Sequence, residues 1–238
     1  MEFDDDGIVL TARAHGETHA IAEIFTANHG RWAGLVYGGQ GRKMQPLLQA
    51  GNGVRVHWRG RGAGTLGNFA LELTAPRAGD LMQDALSLSA LSASCSVALS
   101  CLPEREAHAP SYEAMVILLD VMENVQIWPA LMARWEVGLL AELGFGLTLD
   151  KCAASGTSDD LIYVSPKSAQ AVSASAGEPY KDKLFALPEF LKGGPASIAE
   201  AAAGLEMTGY FIETRILHPT DRELPLPRQK IVTRLKDQ

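Results

Sequence analysis

The period of the hydrophobic pattern constrains this chain most, because it changes once. Through residues 7–77 the period is two. Val54, Val56 and Trp58 alternate with Arg55, His57 and Arg59, and Phe69, Leu71 and Leu73 alternate with Ala70, Glu72 and Thr74. Five short strands are expected, over 8–13, 20–26, 32–37, 54–59 and 66–74. They are separated by turn residues: His15-Gly16, Asn28-His29-Gly30, Gly38-Gly39-Gln40-Gly41, Gly51-Asn52-Gly53 and Gly60-Arg61-Gly62. Five short strands in one small domain must cover their edges. A closed five-stranded barrel of the OB type does so, and it predicts a domain over 1–78. Beyond Pro76 the period becomes 3.6, so 79–238 reads as a mainly α-helical domain.

Caps and breakers mark the helices. Asp80 is expected to cap one that runs to about Leu102, Ser111 a second, and Pro129 to start a third that Gly144 and Gly146 stop. Ser197-Ile198-Ala199-Glu200 matches a capping box at the head of a helix reaching towards Leu217. Pro227 precedes a last basic helix, 228–235. A Gly/Ser-rich stretch at 150–180, with one apolar strand-like piece at 161–164, reads as a small insert or hairpin. The uncharged run 85–103 has the length to raise the question of a membrane span. Its six serines argue against one, and Ala85, Leu88, Leu91, Cys95, Ala98, Leu99 and Leu102 fall at the spacing of a packed helix.

Charge is uneven. The chain carries −7 overall, yet residues 7–77 carry +5 while 78–214 carry −11. The final 24 residues return to six basic side chains against three acidic ones. A basic barrel on an acidic protein points to a polyanion, with nucleic acid the first choice. The candidate DNA-binding residues are Arg13, Arg31, Trp32, Arg42, Lys43, Arg55, Arg59 and Arg61. Arg42 and Lys43 would reach phosphates from a glycine-rich loop. Trp32 would either stack on a base or fill the barrel, whereas Trp58, alternating with arginines, belongs to the core. Arg134, Arg215, Arg222, Arg228 and Lys230 are further candidates for contact with DNA or a protein partner. The C-terminal cations also suit the last turns of helices.

Other motifs carry no chemistry. Gly62-Ala63-Gly64-Thr65-Leu66-Gly67 matches GxGxxG, but an alternating strand follows where a dinucleotide site needs a helix. His15 and His19 flank a turn glycine, which does not suit a zinc helix. Cys95, Cys101 and Cys152 are few and odd in number, fitting reduced thiols. Cys152 has no cysteine partner three residues on, where Ser155 stands, so no metal and no cofactor are expected. No nucleophile–base–orienter set emerges, and no enzymatic activity is expected. The acidic first residues do not suit a secretory signal.

The order and spacing of several motifs resemble the RecO recombination-mediator family. They are Gly7-Ile8-Val9-Leu10-x-x-Arg13-x-x-Gly16-Glu17, then Phe25-Thr26-x-x-x-Gly30-Arg31-Trp32-Ala33-Gly34-Leu35-Val36-x-Gly38-Gly39, and Leu66-Gly67. Glu136-x-x-Leu139-Leu140-x-x-Leu143-Gly144-Phe145-Gly146-Leu147-x-Leu149-Asp150-x-Cys152 and Tyr163-Val164-Ser165-Pro166-Lys167-Ser168 follow. The resemblance spans residue 5 to about 235. It implies an OB barrel, a helical domain and a small zinc-ribbon-like insert. Some members hold zinc there through four cysteines; only Cys152 is present in this insert. It further implies binding to single- and double-stranded DNA, and annealing of strands coated with single-strand-binding protein through that protein's tail. Cooperation with RecR in loading RecA and a cytoplasmic, nucleoid-associated location are implied as well. The alternative is a non-enzymatic scaffold whose basic barrel docks an acidic protein.

Overall fold

The computed structural model describes residues 1–237 except Ala63 and Thr65. The described chain forms two compact units: Met1–Glu123 with Pro225–Arg228, and Asn124–Leu224 with Gln229–Gln238.

The first unit opens with five strands: β1 (Glu2–His15), β2 (His19–Thr26), β3 (Gly30–Val36), β4 (Gly53–Arg59) and β5 (Gly67–Ala75). They close in the order β1-β2-β3-β5-β4, with β3 and β5 parallel and the other neighbours antiparallel. This is an OB-type barrel. β1 is longer than the 8–13 expected. Its N-terminal half pairs with β4 and its C-terminal half with β2, with an irregularity between Val9 and Thr11 where it changes partner. The acidic start conceals a strand because Phe3 and Asp5 point inward while Glu2, Asp4 and Asp6 point outward.

Aromatic rings fill the barrel. Trp58 is fully buried; Phe3 stacks on it at 5.6 Å and Trp32 meets it edge-on at 4.5 Å. Two glycines make room for the indole. A β-carbon on Gly67 would lie 2.3 Å from the Trp58 ring, and one on Gly60 would lie 2.4 Å from it. Leu47 and Leu48, from the β3–β4 connection, complete the core.

Asp5 is a buried charge of the barrel. Its carboxylate accepts hydrogen bonds from the Asn28 N–H and side-chain amide at 2.9 Å, from His29 Nδ1 at 2.7 Å and from the Asp6 N–H. Burial pushes its pKa up, but the bonds from His29, Asn28 and Asp6 outweigh that and hold it below 3.8. As pH falls, the unfolded carboxyl binds its proton first, so this contribution is whole above the unfolded pKa and lost through the lower folded one. Asp5→Asn is expected to cost about 1.5–3 kcal/mol at pH 7. The gap between parent and variant should narrow below about pH 4. Urea unfolding of both proteins across pH 2–7 measures it.

Three helices follow in this unit: a single turn α1 (Arg77–Asp80), α2 (Ala85–Cys101) and α3 (Ala109–Asp120). Asp84, not Asp80, caps α2, accepting from the Leu86 and Ser87 N–H groups. The serines of α2 are tolerated in a packed helix because several bond back to it, Ser94 to the Ala90 carbonyl among them. His108 occupies the cap position of α3 without capping it through its side chain, and Ser111 lies inside its first turn. No described helix is long and apolar enough to cross a membrane.

The second unit packs α4 (Trp128–Glu142) against α6 (Ile198–Phe211). Gly204 makes room for the Phe190 ring, which an added β-carbon would meet at 3.0 Å. The fully buried Glu136 accepts a hydrogen bond from Thr208 across the pair. The Ser197 capping box forms, and α6 runs on through a π-helical segment, Ile212–Leu217. Between these helices in chain order comes a sheet of order β6-β8-β7-β9, built from β6 (Thr148–Cys152), β7 (Leu161–Val164), β8 (Gln170–Ser173) and β9 (Phe185–Ala186), with a short helix α5 (Ala174–Gly177). Cys152 anchors it: its sulfur accepts the Ser173 N–H at 3.3 Å. Hydrogen bonds from Ser155 and Ser173 draw the thiol pKa down to about 6. The last helix is α7 (Leu226–Lys236).

Candidate nucleic-acid interface

Strand register gathers some of the expected cations and removes others. Residues directly paired across strands share a face. Arg13 pairs with Ile21, Ile21 with Leu35, Leu35 with Asn68, and Asn68 with Arg59. Their sequence neighbours Ala12, Ala20, Ala22, Val36, Phe69 and Trp58 pack in the barrel core, so this row lies on its outer side, where Arg13, Asn68 and Arg59 are exposed, Leu35 is half-buried and Ile21 is buried. It crosses β1, β2, β3, β5 and β4 in four inter-strand steps, about 19 Å. A cation stands at each end. Tyr37 is 61% exposed two residues beyond Leu35, and its ring meets His19 edge-on at 5.1 Å.

Shallow depressions bound the row. At the Arg13 end, Ala12, Arg13 and Ala14 face Gly39, Gln40, Gln45, Leu48 and Gln49 across a cleft of about 200 Å³. Arg42 and Lys43 stand exposed on the loop forming that second wall. The loop is tied to the barrel at both its ends. The Gln40 amide donates to the Gly16 and His19 carbonyls, and Leu47 and Leu48 are buried. At the other end an open groove of about 810 Å³ is lined by Arg59, Gly60, Arg61, Leu66, Gly67 and Asn68, with Met1 and Glu2. Among the described residues no ion pair involves Arg13, Arg42, Lys43 or Arg61.

Two expected DNA contacts lie elsewhere. Trp32 is 4% exposed, donates from Nε1 to the His29 carbonyl and carries the Arg105 guanidinium over its ring at 4.6 Å; it belongs to the core. Arg31 pairs with Glu23, lies 3.7 Å from Glu104 and donates to the Leu102 carbonyl. Phe25, on the same outer face, meets Tyr112 of α3 at 5.4 Å. Residues 102–112 thus cover this end of the β2–β3 surface; towards the other end Ile21 is buried and Leu35 half-buried.

Arg55 and Arg59 are exposed but answered. Arg55 pairs with Asp6 at 3.1 Å, and Arg59 lies 3.9 Å from Glu2. These acids precede the basic block and were not weighed with it. The signal existed: Glu2-x-Asp4-x-Asp6 repeats with the same period as Arg55-x-His57-x-Arg59. Asn68 and Gln40 were also missed, since neither residue type nor spacing marks them.

In the second unit, Arg134 donates to the Phe190 carbonyl at 2.5 Å and lies against that ring. Arg215 donates to the Lys167 carbonyl at the β7–β8 turn, and Arg222 to Thr220. Lys230 is exposed. Arg228, which belongs to the first unit, is 1% exposed and presents no surface for a ligand. The GxGxxG match is structural at Gly67, which makes room for Trp58; Ala63 and Thr65 lie outside the described residues. Among the described residues no group of three or more metal-ligating side chains occurs.

The profile of the family described as "Recombination protein O N terminal" matches residues 1–77, and "Recombination protein O C terminal" matches residues 82–223. The chain is 47% identical over 239 residues to the DNA repair protein RecO of Phenylobacterium zucineum (strain HLK1), covering 100% of this chain and 98% of that protein. It is 46% identical to the DNA repair protein RecO of Rhodospirillum centenum, covering 99% and 95% respectively. Against that of Caulobacter vibrioides (strain NA1000 / CB15N) it is 46% identical, covering 100% and 98%. With an OB-type barrel at its head and these matches along its length, the chain belongs to the RecO family of DNA repair proteins.

Proposed function

We propose that this protein is a non-enzymatic DNA-binding recombination mediator, and that a DNA strand lies along the outward row from Arg13 to Arg59. The supporting observation is the register, which sets one outward row across five strands between two cation groups: Arg13 with Arg42 and Lys43, and Arg59 with Arg61. Cations neutralise phosphates without reading sequence, so affinity should be salt-sensitive and broadly sequence-independent. Tyr37 offers a ring on which an unpaired base can stack. Annealing then requires no bond chemistry. Two strands held together meet at a high effective concentration, and the cations screen their repulsion.

On this reading the protein anneals strands coated with single-strand-binding protein and helps RecR load RecA. The acidic, apolar tail of single-strand-binding protein needs an apolar groove beside a cation. The groove lined by Val125, Gln126, Ile198, Ala199, Ala202, Leu235 and Lys236, about 530 Å³, fits that requirement better than the Phe190-bound Arg134.

The test is single-stranded DNA affinity against salt for Arg13→Ala/Arg42→Ala/Lys43→Ala. Losing three phosphate contacts should flatten the log–log salt slope by about 2 and weaken binding at least about tenfold near 0.1 M salt. A variant with parent affinity and parent slope would remove this path. Annealing of oligonucleotides coated by the cognate single-strand-binding protein, with and without the chain, tests the mediator reading. A scaffold docking an acidic protein would give no acceleration.

A further inference from the structure

Along the β1–β4 pair Glu2 lies opposite Arg59, Asp4 opposite His57 and Asp6 opposite Arg55. The side-chain heads approach to 3.9, 3.1 and 3.1 Å. All six side chains are between 46% and 78% exposed, so Arg55, His57 and Arg59 are each reachable from solvent although each has a partner. Carboxylates two residues apart on a strand repeat at about 6.8 Å. That is about twice the 3.4 Å per charge of one strand in B-form DNA, so alternate phosphates of a stacked strand match the spacing. Laid beside β4, the acidic half of β1 has the charge and repeat of a short piece of nucleic acid backbone.

We propose that the outer face of β4 is a second polynucleotide path masked by β1, which a DNA strand enters by replacing Glu2, Asp4 and Asp6 as the partner of Arg59, His57 and Arg55. This rests on the DNA-binding reading above. Arg59 belongs to both surfaces, ending the row from Arg13 and beginning this ladder, so the two paths meet there. The replacement is favourable in kind. Exposed ion pairs are weakly held and screened by salt, while a phosphate chain releases counterions when it takes their place. The carboxylates also set a threshold, keeping a weakly held or short strand on the first path only. A ladder that serves only to align the sheet would predict the opposite sign: removing its acids would weaken the protein and gain nothing in binding.

The experiment compares three full-length proteins: the parent, Glu2→Gln/Asp4→Asn/Asp6→Asn, and a control with the same charge change in the other unit, Asp150→Asn/Asp159→Asn/Asp182→Asn. Single-stranded DNA affinity is measured from about 0.05 to 0.3 M salt, the range over which counterion release is resolved. The ladder variant is expected to bind about fivefold more tightly near 0.1 M salt, with a slope steeper by about 1.4 for the two phosphates taken by Arg55 and Arg59. The control should keep the parent slope. Adding Arg55→Ala/Arg59→Ala to the ladder variant should abolish the gain. If the triple variant loses its fold by circular dichroism, Glu2→Gln/Asp6→Asn serves instead, with about 0.7 per freed cation. A ladder variant with the parent slope, while the parent still depends on Arg13, Arg42 and Lys43, overturns the masked path alone. A parent that fails to bind DNA overturns both readings.

Discussion

Trp58→Ala is expected to lower the stability of the barrel unit by about 3–5 kcal/mol, the range for deleting a large buried aromatic side chain. The indole is fully buried at the centre of the barrel, where Phe3 and Trp32 meet it. The backbone has been shaped around it, with Gly60 and Gly67 standing where a β-carbon would strike the ring. Close-packed interiors do not collapse to fill such a volume, so the loss combines transfer energy with a cavity. A functional consequence follows through Arg59 and Asn68, which flank Trp58 and Phe69 and owe their outward aim to that core. Urea unfolding followed by far-UV circular dichroism should show the early loss of the barrel transition. DNA affinity of the variant should fall most steeply near its lowered midpoint. A change below 1 kcal/mol would mean that the ring does not organise the barrel.

Gly30→Ala should cost about 3 kcal/mol or more, an unusually large effect for one added methyl group. Gly30 opens β3 with φ at +78°, a conformation that disfavours any β-carbon. The obstacle is also spatial: the new carbon would lie 1.9 Å from the Glu106 carbonyl oxygen, which is main chain and cannot rotate away. The segment that would have to move is the one bonded to the strand, through Arg105 N–H to the Arg31 carbonyl and the Arg31 side chain to the Leu102 carbonyl. Displacing it would uncover Phe25 and Arg31 on the outer face of the barrel. The variant should therefore melt early and show increased protease cleavage near residue 105. Parent-like melting would show that residues 102–108 are not fixed against the barrel.

How much was legible depended on whether the signal was local. Val54-x-Val56-x-Trp58 announces a half-buried strand, because alternation is a property of one segment. Ser197-x-x-Glu200 announces its helix start, because both partners of a capping box lie within four residues. The length of β1 was not legible from 8–13 alone, since Glu2–Asp6 becomes strand only when β4 lies beside it. Arg31 and Arg42 look alike in sequence. One is half-buried against Glu23 and Leu102, the other stands in solvent, and the difference lies in which segment returns to cover β3. Trp32 could equally have faced a base or the core, and the side on which Phe3 and Trp58 lie decided it.

The sequence by itself determined the five-stranded head, the helical remainder, the basic bias of the barrel and the family, because each is written in periodicity, composition or motif order. Only the tertiary structure decided which cations share a row, which are answered by carboxylates and which are buried. Those outcomes depend on the register between strands far apart in the chain, where a shift of one residue moves every side chain to the other face.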